Sequence, residues 1–267
     1  MTGYSVTILG CGSSGGVPRL GPNPGGEWGA CDPANPKNRR RRCSALIERR
    51  GPEGVTRVLI DTSPDMREQL VAAGVGTVDA VVYTHGHADH MHGIDDIRMM
   101  VFQTGKRVPV WADQPTTDRL MTGFGYIFVS PEGSDYPPIA DLHLIRGDVV
   151  IAGAGGEICL KPLEVQHGNI RALGFRVGGM VYMPDVSAID EEIWPELANL
   201  DVFIIDALRY RPHSSHSHLE QTLGWIRKLH PSLGVITNMH VDLDYDILAQ
   251  ELPVGVIPAY DGMRIDF

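Results

Sequence analysis

Thr84-His85-Gly86-His87-Ala88-Asp89-His90 packs three histidines and an aspartate into six residues, directly after the run Val78–Tyr83. A strand delivers such a cluster to a sheet edge, where a turn can fold it around metal. Imidazole and carboxylate together suit zinc, manganese or iron(II), and four such groups are enough to begin two sites. The chemistry that follows is metal-assisted hydrolysis, in which a bound water becomes nucleophilic near neutral pH.

The rest of the chain bounds this reading. Its 267 residues, 43% of them hydrophobic, suffice for one large domain or two small ones. Without a linker or a repeat in residue identities, residues 1–267 read as one α/β domain. The net charge of −10 counts against broad nucleic-acid binding, while a local basic patch could still hold a small phosphorylated ligand. None of the four cysteines, Cys11, Cys31, Cys43 and Cys159, forms a CxxC pair. The stretch Met1–Gly10 is strand-like and lacks a charged leader, and no apolar run reaches the roughly 18 residues of a membrane span. A cytoplasmic protein with reduced thiols is expected, with Cys11 as a small buried residue.

Short apolar runs alternate with helical patterns. The strands expected are Ser5–Leu9, Val58–Asp61, Ala80–Thr84, Val108–Trp111, Ile158–Leu163, Ala172–Val177, Val181–Met183, Val202–Asp206 and Gly234–Thr237. The helices expected are Pro64–Ala73, Ile94–Phe102, Thr116–Gly123, Glu191–Ala198, Leu219–Leu229 and Tyr245–Glu251. Ser63-Pro64 reads as an N-cap followed by a first-turn proline, and Ser217 to Glu220 as a capping box. Gly21–Asn38, rich in Gly, Pro and Asn, reads as a surface loop, and Gly51–Gly54 and Gly153–Gly156 as hairpin turns. Sheets packed face to face with helices outside fit this pattern.

His-x-His-x-Asp-His after a strand resembles the metallo-β-lactamase superfamily, whose fold is a four-layer αββα sandwich. The resemblance implies a later His, an Asp and a final His. His167, Asp185 and His240 each follow an apolar run and fill those places in order. The implied cofactors are two divalent cations, zinc or manganese. His85, His87 and His167 would hold one, Asp89, His90 and His240 the other, and Asp185 would bridge them at about 3.5–4 Å. Asp61 matches the superfamily's early aspartate and would orient a ligand histidine. The superfamily's last histidine usually follows Thr directly. That place is Asn238 here, so His240, two positions on and on the same side of a continuing strand, is the substitute.

Gly10-Cys-Gly-Ser-Ser-Gly-Gly-Val-Pro18 and Asn38-Arg-Arg-Arg-Arg-Cys-Ser44 resemble the PhnP branch of cyclic phosphodiesterases, with RNase Z and PqqB nearby. That branch carries a structural zinc on cysteines after Gly-Val-Pro and a histidine past the last active-site one. Only Cys31 stands in that loop and Val241 takes the histidine's place, so no structural zinc is expected. His216, before a capped helix, resembles the histidine thought to touch substrate or protonate the leaving oxygen. With Asp89 it forms the expected catalytic pair. His92, Arg42 and His213 are further candidates for substrate contact, although the run Arg39–Arg42 reads slightly better as a solvated face.

The expected function is hydrolysis of a small cyclic phosphate, phosphoribosyl 1,2-cyclic phosphate first, by a metal-dependent phosphodiesterase. The resemblance admits a homodimer. An RNase Z-like nuclease, a 2′,3′-cyclic nucleotide phosphodiesterase, a PqqB-like protein of cofactor synthesis and a non-hydrolytic metal-binding protein stay open as alternatives.

Overall fold

The computed structural model describes residues 3–267, so the first two residues of the Met1–Gly10 stretch lie outside the described residues. The strands are β1 Gly3–Gly10, β2 Ser44–Gly51, β3 Gly54–Ile60, β4 Ala80–Val82, β5 Val108–Ala112, β6 Ala140–Leu144 and β7 Val149–Ile151. They continue with β8 Ile158–His167, β9 Ile170–Val177, β10 Met180–Met183, β11 Val202–Asp206, β12 Leu233–Thr237, β13 Val256–Pro258 and β14 Arg264–Asp266. The helices are α1 Met66–Ala73, α2 Ala88–Met91, α3 Arg98–Thr104, α4 Gln114–Phe128, α5 Leu219–Leu229 and α6 Tyr245–Glu251.

The chain divides into two compact units. The first holds residues 3–7, 44–160 and 264–266; the second holds 8–43, 161–263 and 267. One sheet runs β14-β1-β2-β3-β4-β5-β6, and the other β13-β12-β11-β10-β9-β8-β7. In the first, β2 and β3 are antiparallel while β3 to β6 run parallel. In the second, β7 to β10 are antiparallel and β10 to β13 parallel. Both sheets are therefore mixed, and the parallel strands are the continuous apolar runs that burial on two faces requires. Val58, Leu59, Ile60, Val81, Val82 and Val110 have no exposed surface in the first unit, nor do Phe203, Ile204, Ile205, Val235 and Ile236 in the second. Among the described residues, no helix is long and apolar enough to cross a membrane.

Both glycine-flanked turns are hairpins: Gly51 pairs with Gly54, and the Gly156 amide donates to the Gly153 carbonyl between β7 and β8. Cys11 is buried. The two cap readings part ways: Ser63 makes a capping-type bond just ahead of α1, whereas the Ser217 hydroxyl has another partner. Asp65 stands at the N-cap position of α1 without a side-chain capping bond, and Ser63 Oγ accepts from the Asp65 amide and donates to Gln69. His218 stands at the N-cap position of α5 without a side-chain capping bond, and Ser217 Oγ donates to the Asp206 carbonyl 2.7 Å away. The Glu191–Ala198 pattern shortens to one 3-10 turn, Trp194–Leu197, with Pro195 near its start. The arginine run is a solvated face only in part: Arg39 is exposed and Arg41 and Arg42 are half-buried, but Arg40 turns inward. Arg40 is 2% exposed, and its guanidinium donates to the carbonyls of His240 and Leu243 and to Asn38 Oδ1.

Candidate metal centre

In the first unit the cluster forms where the parallel strands β3 and β4 end. Asp61, just past β3, has φ +62 and is fully buried. Its carboxylate accepts from the Thr84 amide (2.8 Å), the Thr84 hydroxyl (2.7 Å) and His90 Nδ1 (2.8 Å). A histidine that donates through Nδ1 presents the lone pair of Nε2, the form that binds a cation. Asp89 Oδ2 lies 3.5 Å from that His90 Nε2. His85 Nε2 and His87 Nδ1 are 2.9 Å apart. Two imidazole nitrogens on one tetrahedral zinc are separated by about 3.3 Å, given bonds of about 2.0–2.1 Å, so this pair fits a single cation.

The loop is locked from beneath. The Thr62 amide donates to the His90 carbonyl, and the Gly93 amide to the Thr62 carbonyl. A Cβ at Gly93 would stand 2.0 Å from the Ser63 carbonyl oxygen, so only glycine lets the loop lie this close to the end of β3. Burial raises the Asp61 carboxyl above its ordinary range, against the pull of His90 and Thr84. His92 stands exposed past α2, its ring edge-on to Phe124 at 5.6 Å.

The second unit assembles its own set at strand ends. His167 closes β8, and its Nδ1 donates to the Ser215 carbonyl at 2.6 Å, which again turns Nε2 outward as an acceptor. Asp185 follows β10 and Asp206 ends β11; both are buried. Ligand atoms of His167, Asp185 and His216 lie within 4.8 Å of one another. His216 Nδ1 donates to Asp206 Oδ2 at 2.9 Å and lies 3.6 Å from Asp185 Oδ1. Burial raises the Asp206 carboxyl, against the pull of His216, and Asp185 raises it further. Asp206 Oδ1 is buried without a hydrogen-bond partner. Such concentrated carboxylate and imidazole is costly unless a cation shares the site, so the donor set fits a divalent metal.

Asn238, not His240, stands beside this cluster. Its Nδ2 donates to Asp185 Oδ1 at 3.3 Å. The expectation for His240 required β12 to continue, but β12 ends at Thr237 and Asn238 has φ +59. Same-side alternation is lost at that turn, and His240 pairs through Nδ1 with Asp242 at 3.1 Å, with no place in the clusters among the described residues. Asp206 escaped the sequence reading, although a carboxylate closing the wholly apolar run Val202–Ile205 was a usable signal. His213 is exposed, its Nδ1 accepting from the Ser215 amide. Arg42 lies against Gly16, its Nη1 3.8 Å from where a Cβ would stand.

The profile described as a β-lactamase superfamily domain matches residues 56–239. The chain belongs to the metallo-β-lactamase superfamily. Its fold class is the one the sequence implied, two mixed sheets flanked by helices. A crystal structure of a diphosphatase from the PhnP family shares 34% identity, covers 99% of this chain and 98% of its own, and superposes with a TM-score of 0.85. An octanoyltransferase of Porphyromonas gingivalis is 31% identical over 262 residues, 96% of this chain and 50% of that protein. A ribonuclease Z of Myxococcus xanthus is 30% identical over 147 residues, 54% of this chain and 42% of that protein. The chain thus spans half the length or less of these two curated relatives.

Proposed function

We propose that this superfamily member is a phosphodiesterase acting on a small phosphate ester, with phosphoribosyl 1,2-cyclic phosphate as the first expected substrate. The single observation that supports it most is the 34% identity over nearly the whole chain to a PhnP-family diphosphatase. His85, His87 and His167 would hold one divalent cation, zinc or manganese. Asp89 and His90 would hold a second, with Asp185 shared. Bound cations of this kind polarise a phosphoryl oxygen and make a water nucleophilic near neutral pH.

The chain's own residues do the rest. Asp61 fixes the His90 tautomer. Asp206 holds His216 Nδ1–H, so that Nε2 is the atom that passes a proton to the departing oxygen. His216 is the general acid of the proposal, and Asp206 its positioning partner. His240 drops out of the proposed ligand set, so the second cation would have one protein ligand fewer and would be held more weakly. A single domain over 1–267 and a cytoplasmic setting belong to the same reading.

The ribonuclease Z likeness keeps a nuclease reading in view, but a net charge of −10 opposes a polyanionic substrate. Octanoyl transfer names a protein of about twice this length, of which this chain matches half; this chain's own histidines and aspartates suit hydrolysis. The test is a turnover panel with zinc or manganese: cyclic ribose phosphate, 2′,3′-cyclic nucleotides, an aryl diester, a diphosphate and precursor tRNA. Cleavage of the small esters and not of tRNA supports the proposal; cleavage of tRNA alone overturns it.

A further inference from the structure

Arg40 is a buried cation with only neutral acceptors. Its Nη1 donates to the His240 carbonyl at 3.2 Å and to Cys31 Sγ at 3.8 Å. Its Nη2 donates to the Leu243 carbonyl at 2.6 Å and to Asn38 Oδ1 at 3.3 Å. The Asp244 carboxylate joins this network one bond further out, accepting from Asn38 Nδ2 at 2.6 Å. A guanidinium so placed is costly unless its donors are used, and its planar fork fixes where they point. Two of them point at the backbone that follows β12.

The fork is anchored, and the backbone it grips lies outside the sheet. Arg40 and Val17 exchange amide-to-carbonyl bonds of 2.9 Å each, and a Cβ at Gly12 would stand 2.9 Å from Arg40 Cβ, so the base of the side chain is fixed on two sides. Beyond Thr237 the strand has ended. Asn238, at φ +59, is left-handed, and a residue with a Cβ stays there where its surroundings hold it. The His240 amide donates to the Leu208 carbonyl at 2.9 Å, while Arg40 takes the carbonyl of the same residue. The turn held in this way brings Asn238 Nδ2 to 3.3 Å from Asp185 Oδ1 and 3.2 Å from His216 Nδ1.

We propose that Arg40 is a positioning residue of the metal centre: by gripping the His240 and Leu243 carbonyls it holds the Asn238 turn, and the turn keeps an amide donor on Asp185. Arg40 hydrogen-bonds to none of the proposed ligands and acts through Asn238. The amide orients the Asp185 carboxylate from behind, and outer contacts of this kind set metal affinity as well as geometry. The inference rests on the proposed ligand set, in which Asp185 is shared by both cations. It adds a control that begins in a loop carrying no metal ligand.

A double-substitution cycle on the full chain tests it. Zinc and manganese are titrated separately by calorimetry into the wild type, Arg40→Lys, Asn238→Gly and the double variant, well below their melting temperatures. Glycine accepts the left-handed turn and removes the amide; lysine keeps the charge and lacks the fork. Each single substitution should weaken metal affinity by about tenfold or more, the scale of an outer contact. The double variant should bind no more weakly than the weaker single one, because both substitutions act on one contact. A merely structural Arg40 would lower the melting temperature and leave the affinity of the folded chain unchanged. That result, or losses that add, overturns the inference. If the lysine variant does not fold, Arg40→Gln, a neutral amide donor, takes its place in the same cycle. A wild type that binds neither metal overturns the ligand set and this inference together. Failure of the phosphodiesterase reading looks different: the cycle closes as stated, in a protein that cleaves no ester.

Discussion

Asn238 leaves β12 in a left-handed turn and brings its amide against Asp185. The next two side chains are thereby redirected, which is why His240 meets Asp242. If the second cation lacks a nitrogen ligand for this reason, Asn238→His should restore one. The expected outcome is tighter retention of the second metal equivalent under dialysis, read by elemental analysis; unchanged retention would show that position 238 faces no cation. His216 and Asp206 make a separate prediction. His216→Ala should lower kcat by about 10²-fold or more, the usual scale of a positioned proton donor, with metal content intact. Loss of metal instead would make His216 a ligand. Asp206→Asn should lower kcat in the same direction and alter the pH–rate profile, because the group that fixes His216 Nδ1–H has changed. The residue scale was partly legible in the sequence. His85 to His90 announce themselves by spacing, whereas Asp206 and the turn at Asn238 depend on where a strand stops.

Elements were legible where burial dictates composition. Val202–Asp206, Leu219–Leu229 and Tyr245–Glu251 have in the structure the bounds their patterns implied. The strand β2 is absent from the expected set, and its outer half, Glu48-Arg49-Arg50, is charged and carries no apolar run. In the fold Glu48 is buried and accepts from Arg57 on β3 and from Arg264 on β14. The Arg264 partner lies 216 residues away in the chain and leaves no local signal. The strands β7, β13 and β14 have three residues each, too few for any periodicity. Asp61 and Gly93 show how an element's end matters more than its body. Gly93→Ala should lower stability by roughly 1–3 kcal/mol, because the new methyl meets the Ser63 carbonyl at 2.0 Å. Thermal denaturation reads this directly, and an unshifted midpoint would mean that the loop relaxes.

At the scale of the molecule, each unit carries part of the proposed ligand set, so metal loading and stability should be linked. Chelation should lower the melting temperature, since a ligand bound only by the folded state stabilises it. A further dependence comes from Asp261, buried against the Cys11 and Arg41 amides. Burial raises its carboxyl to about 6 from an unfolded value of 3.8, against the pull of Arg41. The folded state therefore holds the extra proton between these values, and stability from this group falls as pH rises from about 4 to about 6. Asp261→Asn should flatten that slope in pH-dependent denaturation; an unchanged slope would place its origin elsewhere.

The central claim is that histidines and aspartates from strand ends far apart in sequence serve one pair of cations. Metal equivalents per chain, measured on the saturated wild type and on Asp185→Ala, test it most directly. The account predicts two equivalents in the wild type and a clear loss on removing Asp185. A wild type that binds no divalent metal, or an Asp185→Ala protein that retains the full complement, would contradict it.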